Sequence, residues 1–129
     1  DDYAHHPTEI QETINAISKV NEHRLISIFQ PHLFSRTQNF YKQFAKSLKA
    51  SDIIILTKIF PARESPVSGV SSELIYNEIK SNGHQDVYLI NKKNEIPLLI
   101  KNLVKKNDNI LVMGAGDIYQ IINEIIEIL

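Results

Sequence analysis

Hydrophobic positions along this chain follow two different periods. Four short runs, Leu25-Ile26-Ser27-Ile28-Phe29, Ile53-Ile54-Ile55-Leu56-Thr57, Val87-Tyr88-Leu89-Ile90 and Ile110-Leu111-Val112-Met113, are nearly continuous in apolar residues and rich in β-branched ones. That pattern predicts strands buried on both faces, as in a parallel sheet covered by helices. Between the runs, apolar residues recur every three or four positions: Ile10, Ile14, Ile17; Phe40, Phe44, Leu48; Leu74, Ile75, Ile79; Leu99, Ile100, Leu103; and Ile118, Ile121, Ile122, Ile125, Leu129. Each set predicts an amphipathic helix.

The helix starts carry polar signals. Thr8 with Gln11 and Ser35 with Gln38 match capping-box spacing, Asp117 with Gln120 is an acidic variant of it, and Ser71-Ser72 precedes the third stripe. Gly83 closes the third helix, and Asn91-Lys92-Lys93-Asn94 makes a polar turn before the fourth. Lys58 to Ser72, with Pro61, Pro66 and Gly69, is a long irregular stretch of the kind that is often functional. Alternating helices and strands predict one α/β domain over residues 1–129, an open, mostly parallel sheet with helices on both faces and right-handed crossovers. Ligands of such sheets bind beyond the carboxyl ends of the strands.

Composition narrows the partners. With 14 basic and 15 acidic residues the net charge is −1, and no run of one sign suggests a nucleic-acid or membrane surface. The absence of Cys excludes disulfides and a thiol nucleophile and fits a cytoplasmic protein. The apolar runs fall far short of the roughly 20 residues that cross a bilayer. The chain opens on Asp1-Asp2-Tyr3-Ala4-His5-His6-Pro7, its densest polar segment, with no initiator Met, so it is expected to be part of a larger protein.

That opening segment, Phe29-Gln30-Pro31-His32 with Arg36-Thr37, and Gly114-Ala115-Gly116-Asp117 each lie where a helix begins. Helix N-termini offer free amides and a favourable dipole to anions. Within His5, His6 and Glu9, one helical face could present His5 and Glu9, four apart, but no third ligand stands at a recognised spacing, so no metal site is expected of this domain. The imidazoles can cap a helix start, or receive a carboxylate or phosphate beside its free amides. Arg36 opposes the dipole at its helix start, which fits either an exposed surface residue or a guanidinium that holds a bound carboxylate. His32 reads as a structural histidine of the turn. Gly114-Ala115-Gly116-Asp117 begins like a dinucleotide fingerprint, but Tyr119 stands at the third glycine position and no second strand follows. It reads as a tight strand-to-helix turn whose amides can still face a ligand. No Gly-x-x-x-x-Gly-Lys segment grips a triphosphate.

Taken together, Asp1 to Glu9, Phe29 to Thr37, Phe60-Pro61-Ala62-Arg63-Glu64-Ser65-Pro66-Val67-Ser68-Gly69 and Gly114 to Ile118 closely resemble the carboxy-terminal domain of the Mur ligase family, and within it the UDP-N-acetylmuramate:L-alanine ligases. The likeness covers essentially the whole chain in the right order. It implies a Rossmann-like sheet with room for one antiparallel strand. It also implies the lid of a three-domain, ATP-dependent cytoplasmic enzyme of peptidoglycan synthesis, in which ATP with Mg2+ converts the sugar's carboxylate to an acyl phosphate that L-alanine displaces. By the same resemblance, Asp2 and Tyr3 would meet the nucleotide, and His5 and Arg36 the amino acid. His6, His32, Gly114 and Gly116 would support them. Leu33 departs from members that carry Pro-His-Arg there, which leaves Arg36 with His5 as the expected clamp. The isolated domain is expected to be inactive and to bind neither ATP nor Mg2+ tightly by itself. A recycling ligase that adds a tripeptide, or a stand-alone α/β ligand-binding module, are the competing expectations.

Overall fold

A computed structural model describes residues 4–129. Helix α1 (Pro7–Val20) leads into β1 (Leu25–Phe29), α2 (Phe34–Leu48), β2 (Ile53–Thr57), α3 (Glu73–Ser81), β3 (Val87–Ile90), α4 (Ile96–Leu103), β4 (Asn109–Met113) and α5 (Ile122–Ile128). Short 3-10 turns at Lys93–Glu95 and Ile118–Ile121 precede the last two helices. The strands lie in the order β3-β2-β1-β4, and every neighbouring pair is parallel. All four expected strands are therefore present, while an antiparallel strand is not found among the described residues.

Alternation along each strand sends side chains to two separate cores. Leu25 and Phe29, Ile54 and Leu56, and Leu111 and Met113 pack against Ile10 and Ile14 of α1, Phe44 and Leu48 of α2, and Ile75 and Ile79 of α3. Ile26 and Ile28, Ile53 and Ile55, and Val112 face Ile96 and Ile100 of α4 and Ile121 and Ile125 toward α5. The same runs therefore had to be apolar at every position, because each face meets a helix layer. A fully buried side chain such as Phe44 contributes about 2 kcal/mol through its burial.

The helix leaving β1 covers one face of the sheet and the helix leaving β4 covers the other, yet β1 and β4 are neighbours. Their carboxyl ends thus flank a topological switch point, where the outgoing chains diverge and open a crevice. The amino ends are tied shut. Arg24, just before β1, donates from Nε and Nη2 to Asp108, just before β4, at 3.1 and 2.6 Å, and also to the Leu103 carbonyl at 2.9 Å. Asp52 accepts the Leu25 N–H at 2.7 Å. His84 accepts the Asp86 N–H at Nδ1, so Nε2 carries the proton donated to the Ser51 carbonyl at 2.7 Å.

The helix starts differ from their sequence signals. The residue capping α1 is His6, and Glu9 accepts the His6 N–H at 3.0 Å, so Thr8 lies inside the helix rather than at its cap. Helix α2 begins at Phe34 after Leu33, which places Ser35 within the first turn. Asp117 makes no cap hydrogen bond, because its carboxylate is engaged elsewhere. Gly83 does close α3, with its N–H on Lys80 and the His84 N–H reaching back to Ile79.

Candidate functional site

The crevice is built from the segments that leave the strands. After β1, Pro31, His32 and Leu33 run alongside Phe60 of the segment after β2: Phe60 N–H donates to Pro31, Leu33 N–H donates to Phe60, and His32 pairs with Phe60 in a parallel bridge. Strand pairing is thus prolonged beyond the sheet, which fixes His32 relative to the long irregular loop. The His32 ring stacks on Phe60 with centroids 5.8 Å apart and an interplanar angle of 13°.

Arg36 lies one helical turn beyond His32, so both side chains meet on one face of the α2 start. Arg36 Nη1 is 3.4 Å from His32 Nδ1. A guanidinium can only donate, so Nδ1 accepts and the His32 proton resides on Nε2. Burial first, and then the Arg36 and His5 charges, hold the His32 imidazole below its ordinary range, while Glu64 opposes them. His32 is therefore neutral near pH 7, and no carboxylate lies within ion-pair distance of Arg36 among the described residues.

The described part of the opening segment, from Ala4 onward, joins this corner. His5 sets its ring edge-on to His32 with centroids 5.8 Å apart, and its Nδ1 is 3.6 Å from Glu9 Oε1. His6 lies 6.0 Å from His5 and 5.8 Å from Phe40 of α2, centroid to centroid. The start of α1 thus stands at the same strand edge as Arg36, a placement that the segment's own residues did not reveal. Asp2 and Tyr3 lie outside the described residues. Among the described residues no group of three His, Cys, Asp or Glu side chains gathers to hold a metal, and Glu9 is committed to the His6 backbone.

On the other side of the crevice, Gly114 to Asp117 follows β4. A Cβ on Gly116 would fall 2.5 Å from Phe60 Cγ and 2.7 Å from Gln30 Oε1. One on Gly114 would fall 2.8 Å from Ile118 Cγ2. These glycines therefore permit close packing of the turn against Gln30 and Phe60, in keeping with the tight-turn reading. Buried Gln30 locks the turn from both ends of its amide, donating to Asp117 Oδ1 at 2.7 Å and accepting the Ile118 N–H at 3.2 Å. Lys93, from the turn after β3, pairs with Asp117 Oδ2 at 2.5 Å. Burial, the largest single influence, pushes the Asp117 carboxyl up, but the bonds from Lys93 and Gln30 and the Lys93 charge together hold it below its usual range. A cavity of about 330 Å³ opens here, lined by Gln30, Lys58, Phe60, Lys93 and Asp117 among others.

Two partnerships escaped sequence reasoning because they join distant segments. One is Lys93 with Asp117. The other is Glu64, whose carboxylate accepts the Ser35 N–H at 3.1 Å and the Ser35 hydroxyl, with the Phe34 N–H also directed to it. Those bonds, above all the hydroxyl, draw the Glu64 carboxyl below its ordinary range. The anion that the α2 dipole calls for is thus supplied by the chain itself. The only hint in the sequence is a first turn that carries Arg36 and no acid.

A model of the family described as "Mur ligase, glutamate ligase domain" matches residues 1–116. The chain belongs to that family. Among the relatives of this Mur ligase domain, the UDP-N-acetylmuramate–L-alanine ligase of Salinibacter ruber is 39% identical over all of this chain, which covers 27% of the relative. A solved structure of the UDP-N-acetylmuramate-alanine ligase of Thermotoga maritima superimposes with a TM-score of 0.79 at 30% identity, covering 98% of this chain and 25% of that one. A domain from Haemophilus ducreyi, described as a putative UDP-N-acetylmuramate:L-alanyl-γ-D-glutamyl-meso-diaminopimelate ligase, gives 0.69 at 25% identity, covering 98% of this chain and 86% of that one. The chain spans about a quarter of the length of the curated relatives it matches. No helix among the described residues is long and apolar enough to cross a membrane.

Proposed function

We propose that this domain is the carboxy-terminal, substrate-binding lid of a three-domain cytoplasmic ligase that uses ATP to join L-alanine to UDP-N-acetylmuramate. The observation that carries the reading is full-chain similarity to relatives bearing that name. The convergence of His5, His32 and Arg36 beside the switch point supports it. In this reading the sugar's carboxylate attacks the terminal phosphorus of ATP, releasing ADP and forming an acyl phosphate. The free amine of L-alanine then attacks the acyl carbon, inorganic phosphate leaves, and the nitrogen loses a proton.

The domain's part in that chemistry is binding and orientation. Arg36 takes the amino acid's carboxylate in bidentate fashion, His5 contributes a donor, and neutral His32 holds the guanidinium without competing for the anion. With the carboxylate fixed, the amine is presented along a defined line of attack, which replaces the entropy cost of a chance encounter. Closure of the lid keeps water from an intermediate that water would hydrolyse. His6, Gly114 and Gly116 support the corner, and Asp2 and Tyr3 meet the nucleotide across the cleft, a role resting on the family resemblance. ATP and Mg2+ are assigned chiefly to the rest of the full-length enzyme, an assignment resting on the family resemblance.

The test is ADP release by the full-length protein with UDP-N-acetylmuramate and ATP. Turnover with L-alanine alone supports the reading, and the isolated 129-residue chain should give none. The likeness to the Haemophilus ducreyi domain favours a second reading, a ligase for a whole peptide. A requirement for L-alanyl-γ-D-glutamyl-meso-diaminopimelate would establish that one, and inertness toward both amines would refute both.

A further inference from the structure

The corner that holds Arg36 contains two residues in a backbone region that side chains disfavour. Leu33, immediately before α2, has φ +73°, and Ala62, two residues before Glu64, has φ +53°. Such residues persist where their surroundings over-determine them. Leu33 is held by its N–H on Phe60 and by the Thr37 N–H and hydroxyl on its carbonyl. Ala62 lies in a turn closed by the Glu64 N–H on Pro61. The loop from Lys58 to Ser72 is mostly exposed, and its base is fixed by Ser72, whose hydroxyl donates to Thr57 at 2.5 Å. Beyond Phe60, the Glu64 carboxylate joins this loop to α2 through Phe34 and Ser35. Arg36 is the next residue along the helix.

From this juxtaposition we infer that Glu64 is a positioning residue for amino-acid binding: its carboxylate latches the loop onto the first turn of α2 and so sets where Arg36 and His32 meet the substrate's carboxylate. Glu64 satisfies the helix-start amides itself. The incoming carboxylate is thereby directed to the guanidinium and away from the helix terminus. The inference rests on the reading that L-alanine binds beside Arg36, and it adds a residue on a different loop that touches no substrate.

The experiment is steady-state kinetics on the full-length enzyme with Glu64→Ala and Glu64→Gln. Small displacements of a positioning group translate into large losses, so Glu64→Ala should raise the KM for L-alanine about tenfold while kcat stays within about twofold and the KM for ATP is unchanged. Glu64→Gln keeps an amide oxygen for the Ser35 N–H and should stay within about threefold of wild type. An unchanged or lowered KM in Glu64→Ala overturns the inference, as does an equal loss in every parameter or a Gln variant as poor as Ala. Should Glu64→Ala fail to fold, Ser35→Ala takes its place: a raised KM for L-alanine alone supports the latch, and a wild-type KM overturns it. A wild-type enzyme that uses L-alanine while its Ala variant is unaffected sinks this inference only. A wild-type enzyme inert toward L-alanine sinks the reading beneath it.

Discussion

At the amino ends of β1 and β4, Arg24 donates to Asp108 from both Nε and Nη2 and also caps the Leu103 carbonyl. At the carboxyl ends, Arg36 has a neutral imidazole nitrogen as its neighbour at 3.4 Å, and no carboxylate pairs with it among the described residues. The first guanidinium is neutralised by a carboxylate of its own fold and holds structure. The second is oriented but not neutralised, and its remaining donors suit an anion from outside. One sheet thus carries the same side chain in two settings, one internally paired and one, on the proposed function, left to bind. The difference between stability and binding should therefore be separable by mutation.

The largest effect tests the second setting. On the proposed function, Arg36→Ala in the full-length protein should raise the KM for L-alanine about a hundredfold, the scale of a lost charge-assisted bidentate contact. Its unfolding free energy should stay within about 0.5 kcal/mol of wild type, since no internal ion pair is lost. Denaturant titration beside the kinetics checks both halves, and a matching loss of stability would erase the contrast between the edges.

Asp108→Ala is the mirror experiment. The Asp108 side chain is 4% exposed and its Arg24 partner 28%, so a buried-pair penalty discounted for solvent reaching the guanidinium suggests a loss of about 2 kcal/mol. For a domain of this size that lowers the thermal midpoint by roughly 7 °C, measurable by calorimetry. The KM for L-alanine should not move. Gly116→Ala comes next and joins the two readouts, because its Cβ must push aside the Phe60 ring on which His32 stacks. Overpacking of this kind costs about 1 to 2 kcal/mol. A fall in stability together with a raised KM is the expected pair, and a raised KM with unchanged stability would show that the ring yields freely.

How far these edges can be read from sequence follows from the distance over which each residue finds its partner. Leu25 to Phe29 and Ile53 to Thr57 were legible to their end residues, since burial on two faces demands an unbroken apolar run. The caps were not. Thr8, Ser35 and Asp117 each carried a capping-type local signal, yet Glu9, Glu64 and Lys93 with Gln30 decided the outcome. Glu64 lies 29 residues from Ser35, and nothing in either segment announces the other. Arg36, His32 and His5 were legible as candidates through family motifs. Their meeting at one corner required the fold, because the α1 start is brought to the β1 end by tertiary packing. The two glycines of the β4 turn were legible as a tight turn, while the reason for Gly116, Phe60 pressing from the next loop, was not.

Acid should separate the edges most gently. His32 is held below its ordinary value by burial and by Arg36, so between the two values the unfolded chain binds a proton that the folded chain refuses. Its contribution to stability is complete above about pH 6.5 and declines as the pH falls toward the lowered folded value, then levels off. Asp108 is drawn down by its Arg24 hydrogen bond, so its contribution is complete above about pH 4 and is lost as the pH falls through its lowered folded value. The carboxyl edge should therefore soften first, on a shallow limb below neutrality, and the amino edge only in stronger acid. Denaturant stability measured from pH 8 to pH 3 should show both limbs. Arg36→Ala removes a positive neighbour of His32, so it should raise the imidazole's titration point in an NMR titration and flatten the first limb while leaving the second intact. A first limb that survives in Arg36→Ala but vanishes in Asp108→Ala would assign the near-neutral response to the wrong edge and undo the comparison.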